Sequence, residues 1–113
     1  MADFIPVNTA GGLDEALARH EDGPTTLFLF DPGCFVNTAA YEELRGLPGQ
    51  IILIDVRAAP EMARVVAEHT GVKHESPQVI VFHQGQAVWS ASHFAITGEK
   101  VTRAVQRAAG NAG

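Results

Sequence analysis

Two apolar runs limit what this chain can fold into. Residues 25–30 read Thr-Thr-Leu-Phe-Leu-Phe, and residues 50–56 read Gln-Ile-Ile-Leu-Ile-Asp-Val. A strand with one wet face alternates apolar and polar side chains, whereas a strand covered on both faces does not. Both runs therefore read as parallel strands with helices above and below them. Neither approaches the roughly 20 apolar residues needed to cross a bilayer.

The segments around the two runs supply the helices. Residues 12–20 form a helix with Leu13, Ala16 and Leu17 on one face and Asp14 and Glu15 in its first turn. A second helix runs from about Cys34 to Arg45 and is closed by Gly46 and Pro48. A third opens near Pro60, carries Val65, Val66 and His69 at helical spacing, and ends at Gly71. A first strand over residues 4–7 contains Pro6, which is tolerated only at a sheet edge. Residues 78–83 and 86–91 are strands joined by Gln84 and Gly85, a connection short enough to demand an antiparallel hairpin. Trp89 alternates with Ala87 and Ala91 and is expected to pack in the core. The last helix starts after Thr97, an N-cap residue, and buries Val101, Ala104, Val105 and Ala108 while Lys100, Arg103 and Arg107 face solvent. The order βαβαβαββα gives an α/β fold of the thioredoxin arrangement, a mixed five-stranded sheet flanked by four helices. The 113 residues are one domain's worth, expected over residues 1–109, with 110–113 as a frayed tail.

Cysteine usage narrows the chemistry. Cys34 is the single Cys, so neither an internal disulfide nor a two-cysteine redox motif can form. The five His residues include no His-x-x-x-His pair, and no metal site is expected. A net charge of −5 repels phosphate backbones, so no nucleic-acid partner is expected. The first residues carry no basic stretch followed by an apolar one, which predicts a cytoplasmic protein without a membrane partner. Cys34 follows the turn Asp31-Pro32-Gly33 at the end of a strand and opens a helix. Unpaired N–H groups and the partial positive charge of a helix start favour a thiolate over a thiol. A buried, inert Cys is the competing reading. The carboxylate of Asp31 acts against activation. Lys73 or His74, if close, would act for it.

Proline at the start of a central strand cannot donate to the ladder, which singles out Pro77. In the thioredoxin arrangement this point holds a cis proline beside the reactive Cys, and the backbone of the preceding residue, Ser76, meets the incoming substrate. The segment Val72-Lys73-His74-Glu75-Ser76-Pro77-Gln78, followed by residues 87–97 with Trp89, His93 and Phe94, resembles the monothiol bacilliredoxin family of the thioredoxin superfamily. The resemblance covers nearly the whole chain and is specific in residues 72–97. It implies that Cys34 exchanges with bacillithiol, a low-molecular-weight thiol that replaces glutathione in some bacteria. It also implies bacillithiolated client proteins as partners, bacillithiol as co-substrate and no bound cofactor. The family's Cys-Pro-[Ile/Val]-Ser is Cys34-Phe35-Val36-Asn37 here. Asn37 stands where dithiol thioredoxins have their second Cys; it can hydrogen-bond to sulfur or backbone but cannot resolve a mixed disulfide.

The candidate catalytic residue is thus Cys34. Gly33, Phe35, Asn37, Lys73, His74, Ser76, Pro77 and His93 are the candidate substrate contacts. Lys73 and His74 would receive the carboxylates of bacillithiol's malate, Phe35 would touch a protein client, and His93 would cap the last helix or line the site. Two other functions compete with thiol exchange. One is a redox-inactive binding module that presents the Cys34 and Pro77 surface. The other is an iron–sulfur carrier of the monothiol glutaredoxin kind, in which two chains and an external thiol share a cluster.

Overall fold

A computed structural model of the chain describes residues 1–19 and 22–110. The elements are β1 (Asp3–Pro6), α1 (Ala10–Arg19), β2 (Thr25–Phe30), α2 (Phe35–Arg45), β3 (Gln50–Asp55), α3 (Glu61–Thr70), β4 (Gln78–His83), β5 (Gln86–Ser92), a 3-10 turn (His93–Ala95) and α4 (Gly98–Gly110). They form a mixed five-stranded sheet in the order β1-β3-β2-β4-β5. β3 runs parallel to both β1 and β2, while β4 is antiparallel to β2 and to β5. Pro6 lies in the edge strand β1, where its missing N–H interrupts no inner ladder.

The unbroken apolar character of β2 and β3 has the expected cause. Leu27, Leu29, Ile52 and Ile54 pack with Leu13, Met62 and Val66 from α1 and α3. Phe28 and Ile51 point the other way, into Ala40 and Leu44 of α2 and Val101 of α4. Both sheet faces are therefore dry, and β2 sits at the centre of the sandwich. Its carboxyl end leads directly into the Asp31-Pro32-Gly33 turn and Cys34.

Several local expectations need correction. α1 begins at Ala10, because Thr9 caps it: the Gly12 N–H donates to Thr9 Oγ1 at 3.0 Å. Asp14 and Glu15 are accordingly past the first turn, which holds no acid. The expected end at His20 lies outside the described residues. Cys34 is the N-cap of α2 rather than its first helical residue, and Pro60 is the N-cap of α3. α4 includes Gly110, and residues 111–113 of the expected tail lie outside the described residues.

Trp89 packs against the core as expected, but Ala87 does not share its face. The register passes from Val81↔Trp89 to Phe82↔Ala87, so Val88 is an extra residue, a β-bulge. One inserted residue reverses which way the strand's side chains face. Ala87 therefore joins the cluster under α1 and α3, while Trp89 and Ala91 join the one under α2 and α4. The hairpin turn itself has Gln84 at φ 53° and Gly85 at φ 79°. Positive φ at both central residues matches the twist of a two-residue hairpin.

Candidate functional site

Three chain segments meet at the carboxyl end of β2. The first is the turn from Asp31 into α2. Asp31 Oδ1 accepts the Gly33 N–H at 2.9 Å, and the Asp31 carbonyl accepts the Cys34 N–H at 3.1 Å. These bonds fold the chain back on itself and leave Cys34 in an extended conformation, φ −112° and ψ 131°, at the head of α2. The Cys34 carbonyl already accepts helical bonds from Asn37 at 3.1 Å and Thr38 at 3.3 Å. Its side chain makes no capping bond and stands in solvent.

The thiol pKa is lowered from its ordinary value. A hydrogen bond from the Val36 backbone contributes most, followed by the Asn37 side chain and the Asn37 N–H. The two backbone groups belong to the first turn of α2, where helix-start N–H groups favour a thiolate over a thiol. Burial and the Asp31 carboxylate act in the opposite direction and are outweighed. Asp31 is also engaged elsewhere: its Oδ1 holds Gly33 and lies 4.0 Å from Arg57 Nη1. The reading of Cys34 as a buried core residue is thereby excluded.

The second segment is the loop before β4, with a cis Ser76–Pro77 peptide bond. Asn37 ties this loop to the first. Its side chain is 1% exposed. Oδ1 accepts the Asp31 N–H at 2.8 Å and the Ser76 hydroxyl at 3.1 Å. With Oδ1 fixed by two donors the amide cannot flip, and Nδ2 is left buried with no partner among the described residues. The Asn37 side chain is also the second-largest of the hydrogen-bonding groups that lower the Cys34 pKa.

The third segment is the 3-10 turn after β5. The His93 N–H donates to the Pro77 carbonyl at 3.1 Å, and His93 Nδ1 lies 4.0 Å from Glu75 Oε1. Ser92 Oγ donates to the other oxygen of Glu75 at 2.9 Å. His93 thus borders the proline loop. It does not cap α4; Thr97 does, its Oγ1 accepting the Lys100 N–H at 3.2 Å. Phe35 and Phe94, 81% and 73% exposed, add apolar surface on α2 and on the 3-10 turn that packs against it.

Lys73 and His74 differ from expectation, since neither is among the groups that shift the thiol. Lys73 is exposed, and its carbonyl accepts Gln78 Nε2 at 2.8 Å. Burial lowers the pKa of His74, which favours its neutral form and makes it a poor counter-ion. Sequence reasoning missed Glu75 and Arg57. Glu75 lies inside the distinctive loop segment, but Arg57 gives no local signal. No group of three or more His, Cys, Asp or Glu side chains among the described residues could hold a metal ion. No helix among them is long and apolar enough to cross a membrane.

Comparison with known proteins fits this geometry. The family model described as monothiol bacilliredoxin BrxC matches residues 5–101. Among solved structures, one protein described as having a thioredoxin fold is 21% identical with a TM-score of 0.78, over 89% of this chain and 92% of its own. The thioredoxin of Fasciola hepatica is 15% identical with a TM-score of 0.75, over 92% of this chain and 98% of its own. A mutant thioredoxin from Halobacterium salinarum is 12% identical with a TM-score of 0.72, over 95% and 91%. At such identities the structural likeness establishes the fold alone, and the fold is that of thioredoxin.

Proposed function

The chain belongs to the monothiol bacilliredoxin family, and on that premise we propose that it is a single-cysteine thiol–disulfide exchange protein that removes bacillithiol from proteins. The Cys34 thiolate attacks the bacillithiol sulfur of a protein–bacillithiol mixed disulfide. The protein–bacillithiol S–S bond breaks as the Cys34–bacillithiol bond forms. The client leaves as a thiolate and takes a proton from water. No second Cys is present to resolve the product, so an external thiol attacks the bacillithiol sulfur of the Cys34 disulfide, Cys34 leaves as the thiolate, and the bacillithiol departs in a new mixed disulfide with that thiol. Electrons thus pass from that external thiol to the client.

The observation that carries this reading is an exposed Cys34 at the head of α2 with its pKa lowered by helix-start donors. The same observation favours exchange over a passive binding module, which needs no activated thiol. Gly33, Phe35, Asn37, Ser76, Pro77 and His93 surround the approach to sulfur in this proposal. Lys73 is available to a carboxylate of bacillithiol, and His74 contributes shape rather than charge. Cys34→Ser should abolish debacillithiolation of a capped client protein while leaving the fold intact by circular dichroism. Full activity in that variant would overturn the proposal. Equal capture of one partner by the variant and the wild type would favour the binding module. A brown protein with visible absorbance after anaerobic purification would favour cluster carriage.

A further inference from the structure

A cavity of about 350 Å³ lies between α4 and the β4–β5 hairpin, within the range of small-ligand sites. It is remote from Cys34. β4 begins at Gln78, paired with Leu29 near the thiol end of β2, and reaches its hairpin beside Thr25 at the opposite end. Its lining mixes two chemistries. Trp89, Val88, Ala104 and Ala108 offer an apolar wall, and Lys100, Arg103 and Arg107 offer three cations.

Three of the chain's eight Lys and Arg residues therefore surround one cavity in a protein of net charge −5. They recur at i, i+3 and i+7, so α4 presents them on one face. No carboxylate lines the cavity. Arg103 is partly neutralised by Glu99 at 2.9 Å, but Lys100 and Arg107 have no ion pair among the described residues. The Val88 bulge is what turns Trp89 towards α4 and gives the cavity its aromatic wall. An indole beside guanidinium groups suits a planar ring, and guanidinium groups suit phosphate or carboxylate oxygens.

We propose that this cavity is a second binding site, separate from the thiol, for a small anion that joins a planar apolar ring to a phosphate or carboxylate. The ring lies against Trp89, and the anionic group meets Lys100, Arg103 and Arg107. No bond is made or broken there.

Trp89 is the single Trp of the chain, so its fluorescence reports on the cavity directly. The probe is phenyl phosphate, titrated at pH 7 and low salt, with inorganic phosphate and benzyl alcohol as half-ligands. The expected result is a saturable change with phenyl phosphate, at least tenfold tighter than with either half-ligand. Amide shifts in an NMR titration should centre on residues 83–89 and 100–108. The double variant Lys100→Glu, Arg107→Glu alters two exposed side chains and should weaken binding at least tenfold. Arg45→Glu, a cation on α2, should leave it unchanged. The proposal is overturned by a response that does not saturate, by equal affinity in the double variant, or by shifts centred on Cys34 and Phe35.

Discussion

Removing the Asn37 side chain tests how the site is built. Asn37→Ala deletes the one group that joins the Asp31 turn, the Ser76 loop and the thiol. Its Oδ1 accepts the Asp31 N–H at 2.8 Å and the Ser76 hydroxyl at 3.1 Å. The hydroxyl is only partly buried and can turn to water. The backbone N–H cannot turn, and an orphaned buried donor costs about 1–3 kcal/mol. Asp31 borders solvent and the unpartnered Nδ2 vanishes with the side chain, so the lower half of that range applies, about 1–2 kcal/mol. In a domain of this length each kcal/mol moves Tm by roughly 4 °C, so a fall of about 4–8 °C is expected by calorimetry. The thiol responds in parallel: its second-largest stabilising donor is gone, so its alkylation mid-point should move up. Asn37→Asp separates the two effects, since it keeps an acceptor for Asp31 and Ser76 but sets an anion beside sulfur. Its thiol mid-point should rise further than that of Asn37→Ala. A Tm within about 1 °C of wild type, together with unmoved thiol mid-points in both variants, would refute the role assigned to Asn37.

Two further outcomes follow from the charges. The donors that lower the Cys34 pKa are uncharged amides, and the one charge acting on it, Asp31, is unfavourable. Raising ionic strength from about 0.1 M to 1 M shortens the screening length from ~10 Å to ~3 Å. The alkylation mid-point should then fall or stay level; a rise would mean that a cation activates the thiol. The pair His69–Asp14 gives the second outcome. His69 Nε2 lies 2.7 Å from Asp14 Oδ1 and Nδ1 lies 3.1 Å from the Val65 carbonyl. Only the imidazolium can donate to both acceptors at once, and its pKa is raised, chiefly by the hydrogen bond to Asp14. A raised folded value adds stability below the unfolded pKa of about 6.5 and loses it as pH climbs through the folded value. Asp14→Asn should therefore cost more at pH 6 than at pH 9 in urea unfolding. Asp14 is largely exposed, so the difference should stay below about 1 kcal/mol. An equal cost at both pH values would refute the assignment.

What could be read in advance depended on whether a feature is written in residue types or only in geometry. β2 and β3 were legible because burial on both faces removes alternation, a property of the residues themselves. Cys34 and Pro77 were legible because each is a residue type with few uses at its position. The Val88 bulge was not, since a Val in a strand carries no mark of being the extra residue, and so Ala87 reads as sharing a face with Trp89 although the bulge separates them. Thr9 was hidden by Gly11 and Gly12, which argue against a helix although the cap before them starts one. Arg57 reaches Asp31 only through the fold.

Asp31 acts on the thiol in two opposed ways, only one of which is legible from its position in the sequence. Its charge does oppose ionisation, as proximity alone would say. The same carboxylate, however, accepts the Gly33 N–H, and its own N–H and carbonyl bind Asn37 and Cys34. Those bonds set the turn that places Cys34 at the head of α2 beside Val36 and Asn37, the groups that lower its pKa. A residue that disfavours the thiolate through space thus builds the hydrogen-bonding frame that favours it. The frame wins because amide donors act at contact distance, whereas the Asp31 charge is shared with Arg57 and screened by water at an exposed site. This division also explains how Asn37 can replace a second Cys without silencing the first. The position gives up resolving chemistry and keeps a hydrogen-bonding group, which leaves one thiol of lowered pKa and no second Cys in the chain.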